Sequence, residues 1–264
     1  MYGRGYQSGG LGFGPPITPD VVKQLLAANF AIFVLQLLSY GWTGGDVLTD
    51  LGALTPREFW HGSLWQPCTY MFLHGGLGHV AMNMLMLWMF GSPLALAWGA
   101  RRFLRLYFAC GVGAGLIIAT LPYVLGAVGL HFPSLSANIP TLGASGAIFG
   151  VLLAYSFTFP NRTIVLIFPP VAFRAIWLIP ILFLLEVMFG PANVSHVGHL
   201  GGALVAWLWM SRESDHRLLP SVAQIKLRWR RMRMRKRLRA VQREESDWRA
   251  RGRRDRDRDD RTLH

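Results

Sequence analysis

Six stretches of the chain are apolar over roughly the length of a helix, and each is bounded by polar or helix-breaking residues. They cover residues 21–40, 79–98, 103–125, 144–159, 173–189 and 197–210. A helix needs about 20 mostly apolar residues to cross a bilayer, so the pattern predicts six spans and an all-α membrane protein. Thr18, Pro19 and Asp20 supply helix-start chemistry before the first span. Gly75-Gly76 lead into the second, and Pro160-Asn161 end the fourth. The run from Ile164 to Phe168, followed by Pro169-Pro170, is apolar but too short and broken to span, and is expected at the interface.

Charge then orients the bundle. If the N-terminus is cytoplasmic, six spans put Arg4, Lys23, Arg101, Arg102, Arg105, Arg162, Arg174 and the 19 Lys and Arg of residues 211–264 on the same side. Only Arg57 falls opposite. The positive-inside rule therefore predicts N-in, C-in. With 52% hydrophobic and only 16% charged residues, the composition argues against an ordinary soluble domain. Three regions are expected: a short flexible cytoplasmic N-terminus over residues 1–18, a six-helix membrane domain over 19–212, and a basic cytoplasmic tail over 213–264. Residues 211–264 also hold 9 acidic residues, and the last dozen are mixed in charge and expected to be disordered. Arginine beside a membrane span favours anionic lipid over nucleic acid, at about 1 kcal/mol per cation near the surface. The first 16 residues lack an apolar core segment, so no cleavable signal peptide is expected. Cys68 and Cys110 stand in no redox or metal spacing.

Chemistry concentrates where the topology brings three helix starts to one depth. Ser145 opens the fourth span within Gly143-Ala144-Ser145-Gly146, and His199 opens the sixth within His196-Val197-Gly198-His199-Leu200-Gly201-Gly202. His79 and Asn83 lie in the first turns of the second, spaced to share one helix face. A hydroxyl and an imidazole are the parts of a Ser–His nucleophilic device. Ionisable groups inside a membrane are costly and mark function by default. Helix N-termini, with neutral donors such as His79 and Asn83, suit a developing oxyanion. Plainer roles exist for each. Ser145 and its flanking glycines also fit close helix packing, and His199 fits an interfacial histidine. Gly198 and Gly202 predict tight packing of the sixth helix, with the fourth as neighbour. His74 and His196 read as interfacial. A metal at His79 would need further ligands, for which His196, His199 and Glu186 are the candidates; no H-E-x-x-H spacing supports one, so no metal or other cofactor is expected.

These motifs, in this order, resemble the rhomboid intramembrane serine proteases over residues 20–212. The resemblance rests on His79-x-x-x-Asn83, Gly143-Ala144-Ser145-Gly146 and Gly198-His199-Leu200-Gly201-Gly202, supported by Phe90-Gly91 and Arg102-Phe103-Leu104-x-x-Tyr107. It implies a rhomboid-like six-helix bundle with Ser145 as nucleophile, His199 as general base and no acidic third member. It further implies an oxyanion site formed by the Ser145 N–H, His79 and Asn83, and an aromatic, here Phe149, stacked on the base. Two positions depart from the family pattern: Gln66 stands where arginine is common after tryptophan, and Ala95 where a glutamate is common. Both put anchoring of the first loop in question more than the chemistry.

The expected function is therefore cleavage of single-span membrane proteins near the outer interface, in a bacterial cytoplasmic membrane. The alternative is a proteolytically silent membrane-protein binder or chaperone on the same scaffold. A small-solute or metal transporter would need polar groups near mid-membrane on several helices, and few are present besides Glu186.

Overall fold

The computed structural model describes residues 14–166, 171–189 and 195–213, together with Met234. The chain divides into two units, Met1–Glu213 and Ser214–His264. The expected basic tail, Glu213 and Met234 apart, and most of the N-terminal segment lie outside the described residues.

Helices occupy all six predicted apolar segments. Helix α1 (Asp20–Thr43) carries Asp20 in its first turn, where a carboxylate complements the helix dipole. The connection that follows contains three short helices, α2 (Val47–Gly52), α3 (Pro56–Trp60) and α4 (Gln66–Thr69), then a 3-10 turn over Tyr70–Phe72. Asp46 caps α2 by accepting from the Thr49 N–H at 3.1 Å. Helix α5 (Leu77–Met86) continues through a π-helical segment, Leu87–Gly91, into α6 (Ser92–Trp98). The wide turn comes just before Pro93, which has no N–H to offer the carbonyl four residues back, so the ladder must loosen there. Helix α7 (Ala100–Ala127) is the longest among the described residues, and α8 (Ser145–Thr158) follows an extended connection.

The fifth segment departs from expectation at its start. Strand β1 (Thr163–Val165) pairs antiparallel with β2 (Ala172–Arg174), with Ile164 opposite Phe173. A 3-10 turn over Ala175–Trp177 then leads into α9 (Leu178–Phe189). The helix predicted from residue 173 thus begins later. β-Branched Thr163, Ile164 and Val165 favour an extended backbone, and Arg174 continues the ladder opposite Thr163. Helix α10 (His196–Glu213) closes the described fold.

Among the described residues, three helical stretches are long and apolar enough to cross a membrane: Asp20–Trp42, Leu77–Trp98 and Ala100–Ala127. Helix α8 and the stretch Ala175–Phe189 are shorter apolar helices. Trp42, Leu184, Val187 and Leu204 remain exposed, as suits a lipid-facing exterior. The interior is built on α7, α8 and α10, around Phe103, Leu106, Tyr107, Val151 and Leu152, all fully or almost fully buried. Small residues set its spacing. A Cβ added at Gly202 would lie 1.8 Å from the Gly146 carbonyl oxygen, and one at Gly150 would lie 2.4 Å from Cys110 Sγ. The expected packing of the sixth helix against the fourth through glycine is therefore present, and no larger residue fits that crossing.

The first loop is well anchored despite Gln66. That side chain is buried, and its Oε1 accepts the Thr55 N–H at 3.1 Å. Leu54 and Thr141 exchange backbone hydrogen bonds at 2.8 Å in both directions. The Trp60 indole donates to the Ala119 carbonyl at 3.1 Å, and the Trp65 indole to Leu51 at 2.9 Å. Gln36 ties α1 to the loop by accepting the His74 N–H at 3.0 Å. Ala95, the other departure from the family pattern, is simply buried in α6.

Candidate active site

Ser145 is the first residue of α8, and no side chain caps that terminus. The leading N–H groups of the helix therefore keep their positive end available to a ligand. The chain enters through Gly143, whose φ of +124° suits glycine alone, and whose N–H donates to the Tyr70 carbonyl at 2.8 Å. A Cβ at Gly143 would lie 2.8 Å from both Cε1 and Nε2 of His79, and 3.7 Å from Asn83 Nδ2. His79 and Asn83 therefore stand against the turn that delivers Ser145.

Both offer donors there. The Gly75 N–H donates to His79 Nδ1 at 3.3 Å, so in the neutral ring the proton resides on Nε2. Asn83 Nδ2 is buried and has no protein partner among the described residues. A buried donor without an acceptor costs about 1–3 kcal/mol, a cost usually tolerated only where a ligand supplies the acceptor. His74 packs edge-on against His79, with ring centroids 5.2 Å apart. Its Nδ1 lies 3.2 Å from the Phe72 carbonyl oxygen.

His199 occupies the first turn of α10 and is buried. Phe149, one turn beyond Ser145, stacks on it with centroids 4.2 Å apart and planes at 10°. The Gly146–Gly202 crossing brings the two helices close enough for that contact. Ser145, His199, His79, Asn83, Gly143 and Phe149 thus gather in one region. Among the described residues, neither the Ser145 hydroxyl nor His199 Nε2 makes a hydrogen bond, so the two are brought together without being joined. Such bonds are often long in unliganded sites and tighten when substrate binds.

Sequence reasoning missed two participants. Glu186 on α9 accepts from both histidines of the His196-x-x-His199 pair: Oε1 lies 2.5 Å from His196 Nδ1 and Oε2 lies 2.6 Å from His199 Nδ1. The resemblance implied no acidic partner, yet a carboxylate contacts the expected base. A signal was available, because Glu186 is the only acidic residue between Glu58 and Glu213. The second is Tyr70, whose hydroxyl donates to the Gly111 carbonyl at 2.7 Å while its own carbonyl holds Gly143. Nothing in its local sequence distinguishes it from a core tyrosine. Among the described residues, no three His, Cys, Asp or Glu side chains are arranged to hold a metal ion.

Comparison with known proteins gives a consistent grouping. Residues 61–213 match the Rhomboid domain family. The chain is 31% identical over 216 residues to "Rhomboid protein 1, mitochondrial" of Saccharomyces cerevisiae, covering 74% of this chain and 55% of that protein. It is 32% identical over 205 residues to "RHOMBOID-like protein 12, mitochondrial" of Arabidopsis thaliana, covering 73% and 58%. To "Rhomboid protease GluP" of Bacillus subtilis it is 30% identical over 191 residues, covering 70% and 33%. The chain thus spans little more than half the length of the first two relatives and a third of the last.

Proposed function

The chain belongs to the rhomboid family, and from that premise we propose that it is an intramembrane serine endopeptidase acting through Ser145 and His199. The observation that carries this reading is the stacking of His199 on Phe149, one turn from a serine at an uncapped helix start. The donors His79 and Asn83 against Gly143 support it.

In the proposed reaction the Ser145 hydroxyl attacks the scissile carbonyl carbon and passes its proton to His199 Nε2. The new Oγ–C bond forms as the carbonyl pair moves onto oxygen. The Ser145 N–H, His79 Nε2–H and Asn83 Nδ2–H then hold that oxyanion. Collapse expels the leaving amine, which takes the proton from His199. Water, deprotonated by the same nitrogen, hydrolyses the acyl-enzyme and regenerates Ser145. Gly143 serves by leaving room for His79, and Phe149 by fixing the imidazole plane.

The substrates in this reading are single-span membrane proteins cut near the outer interface, where an unwound helix exposes its peptide bond. The scaffold crosses the bilayer six times with both termini cytoplasmic, as the charge distribution supports. Residues 1–18, 19–212 and 213–264 act as N-terminus, membrane domain and lipid-attracted basic tail. The protein is an integral membrane protein. The Bacillus relative supports a bacterial cytoplasmic membrane as its location, and the two mitochondrial relatives support a mitochondrial one; fractionation of the source cells decides between them.

The test is co-expression with a tagged single-span substrate, comparing wild type with Ser145→Ala and His199→Ala. A membrane-level product lost in both variants is expected. A product that persists in either removes that residue's role. The second reading, a silent binder on the same scaffold, draws on the missing Ser145–His199 hydrogen bond and predicts stable capture of the substrate without a product.

A further inference from the structure

Glu186 is the feature that a two-residue device leaves unexplained. Its side chain is only 11% exposed, on an otherwise apolar helix, which is an expensive position for a carboxylate in a membrane. Neither Lys nor Arg forms a hydrogen bond or ion pair with it among the described residues. Its two oxygens are instead divided between two imidazoles, at 2.5 Å to His196 Nδ1 and 2.6 Å to His199 Nδ1. The two rings differ in setting: the His196 side chain is 45% exposed, whereas that of His199 is 10% exposed and stacked on Phe149.

An ionised carboxylate only accepts hydrogen bonds. The Nδ1 atom of His199 must then carry a proton, and in the neutral ring Nε2 holds the lone pair. That is the tautomer a base needs when its Nε2 is to receive the serine proton. As that proton arrives the ring becomes cationic, and a carboxylate 2.6 Å away stabilises the charge where little water can. Helix α9 thereby supplies an orienting group to a base on α10 and a nucleophile on α8.

We propose that Glu186 is a positioning residue that makes the Ser145–His199 pair a three-membered relay, fixing the His199 tautomer and stabilising its protonated form. The inference rests on the protease reading above. His196 is a secondary partner of the same carboxylate and holds its other oxygen in place.

The experiment uses the full chain in proteoliposomes with a cleavable single-span substrate, and compares Glu186→Gln, Glu186→Asp and Glu186→Leu with wild type. Gln retains an acceptor without charge, Asp retains charge with shorter reach, and Leu removes both. Loss of the acid's correct hydrogen bonding in a Ser–His–Asp site costs about 10⁴ in kcat. For a carboxylate shared between two rings a smaller loss is expected, about 10²-fold for Leu and about 10-fold for Gln, with Asp partly restored. The loss falls on kcat, KM stays within about twofold, and the unfolding midpoint of the Gln variant matches wild type. In parallel, ¹⁵N-histidine NMR reads the tautomer directly. Nδ1–H at His199 is expected in wild type, with Nε2–H appearing in the Leu variant. Wild-type kcat in the Gln and Leu variants overturns the proposal, as does an Nε2–H tautomer in wild type. If Leu does not fold, the Gln variant decides: kcat within twofold of wild type overturns it. A wild-type protein that cleaves nothing removes the protease reading instead, while the tautomer measurement still tests the Glu186–His199 relationship.

Discussion

The ring of Phe149 lies flat on that of His199, with centroids 4.2 Å apart and planes at 10°. The contact joins α8 to α10 and leaves the imidazole little freedom to turn. An aromatic pair contributes about 0.5–1.5 kcal/mol beyond area burial. Phe149→Ala is therefore expected to lower kcat/KM about tenfold, the upper end of that range once expressed as a rate. Phe149→Tyr should stay within about threefold. Steady-state cleavage by the two variants checks the difference, and equal losses would mean that the stacking does not matter.

Gly143 is constrained twice, by a φ of +124° and by the 2.8 Å that would separate its Cβ from His79. Gly143→Ala should cost about 1–3 kcal/mol of stability from the backbone alone. It should also displace His79 and lower kcat about 10²-fold, the scale of losing one oxyanion donor. Thermal unfolding and cleavage rate, measured on one preparation, separate the two effects. His79→Ala alone should reproduce the rate loss without the backbone strain.

Two neighbouring glycines on α10 should respond differently to the same change. At Gly202 a Cβ meets the Gly146 carbonyl oxygen at 1.8 Å, and backbone cannot step aside. At Gly201 the nearest atom is Ile117 Cδ1 at 3.3 Å, the end of a movable side chain. Gly202→Ala should thus destabilise by about 1–3 kcal/mol or more, as overpacking does, and separate Ser145 from His199. Gly201→Ala should be nearly neutral. Unfolding midpoints of the two variants in one detergent provide the comparison.

His74, in the loop before α5, has its pKa pushed down to about 4, chiefly by burial and further by the charge His79 can carry, with the Phe72 carbonyl opposing. The folded form therefore binds this proton less readily than the unfolded chain, whose histidine titrates near its ordinary 6.5. Stability from this group is fully present above about pH 6.5 and falls as pH drops towards 4, by at most ~3 kcal/mol. His74→Asn keeps a donor for the Phe72 carbonyl and has no titration in that range. Its unfolding midpoint should fall less between pH 7 and pH 4.5 than that of wild type; parallel slopes would refute the assignment.

Much of this architecture is legible in the sequence because a membrane interior imposes simple rules. Apolar length located the long helices, including the one broken by a π-helical segment, since hydropathy ignores the backbone detail that Pro93 imposes, but it did not register the short α2, α3 and α4 of the first connection. The strand pair was missed because Phe173 and Ala172 are as compatible with a helix as with a ladder. Ser145, His199, His79 and Asn83 were legible as residues within the first two turns of their helices. Glu186 stood out as a lone acidic residue, but its pairing with His199 was not legible, because that contact depends on how α9 leans against α10, and no spacing along the chain records that angle. Gln66 likewise looked like a weakness, and proves to be a buried acceptor for Thr55.

The central claim, that Ser145 is a nucleophile activated by His199, is tested most directly by reaction of the folded, membrane-reconstituted protein with a fluorophosphonate and mapping of the adduct by mass spectrometry. The account predicts a covalent adduct on Ser145 that forms in wild type, is lost on denaturation, and is abolished by His199→Ala. An adduct elsewhere, or labelling of Ser145 at an undiminished rate without His199, would contradict it.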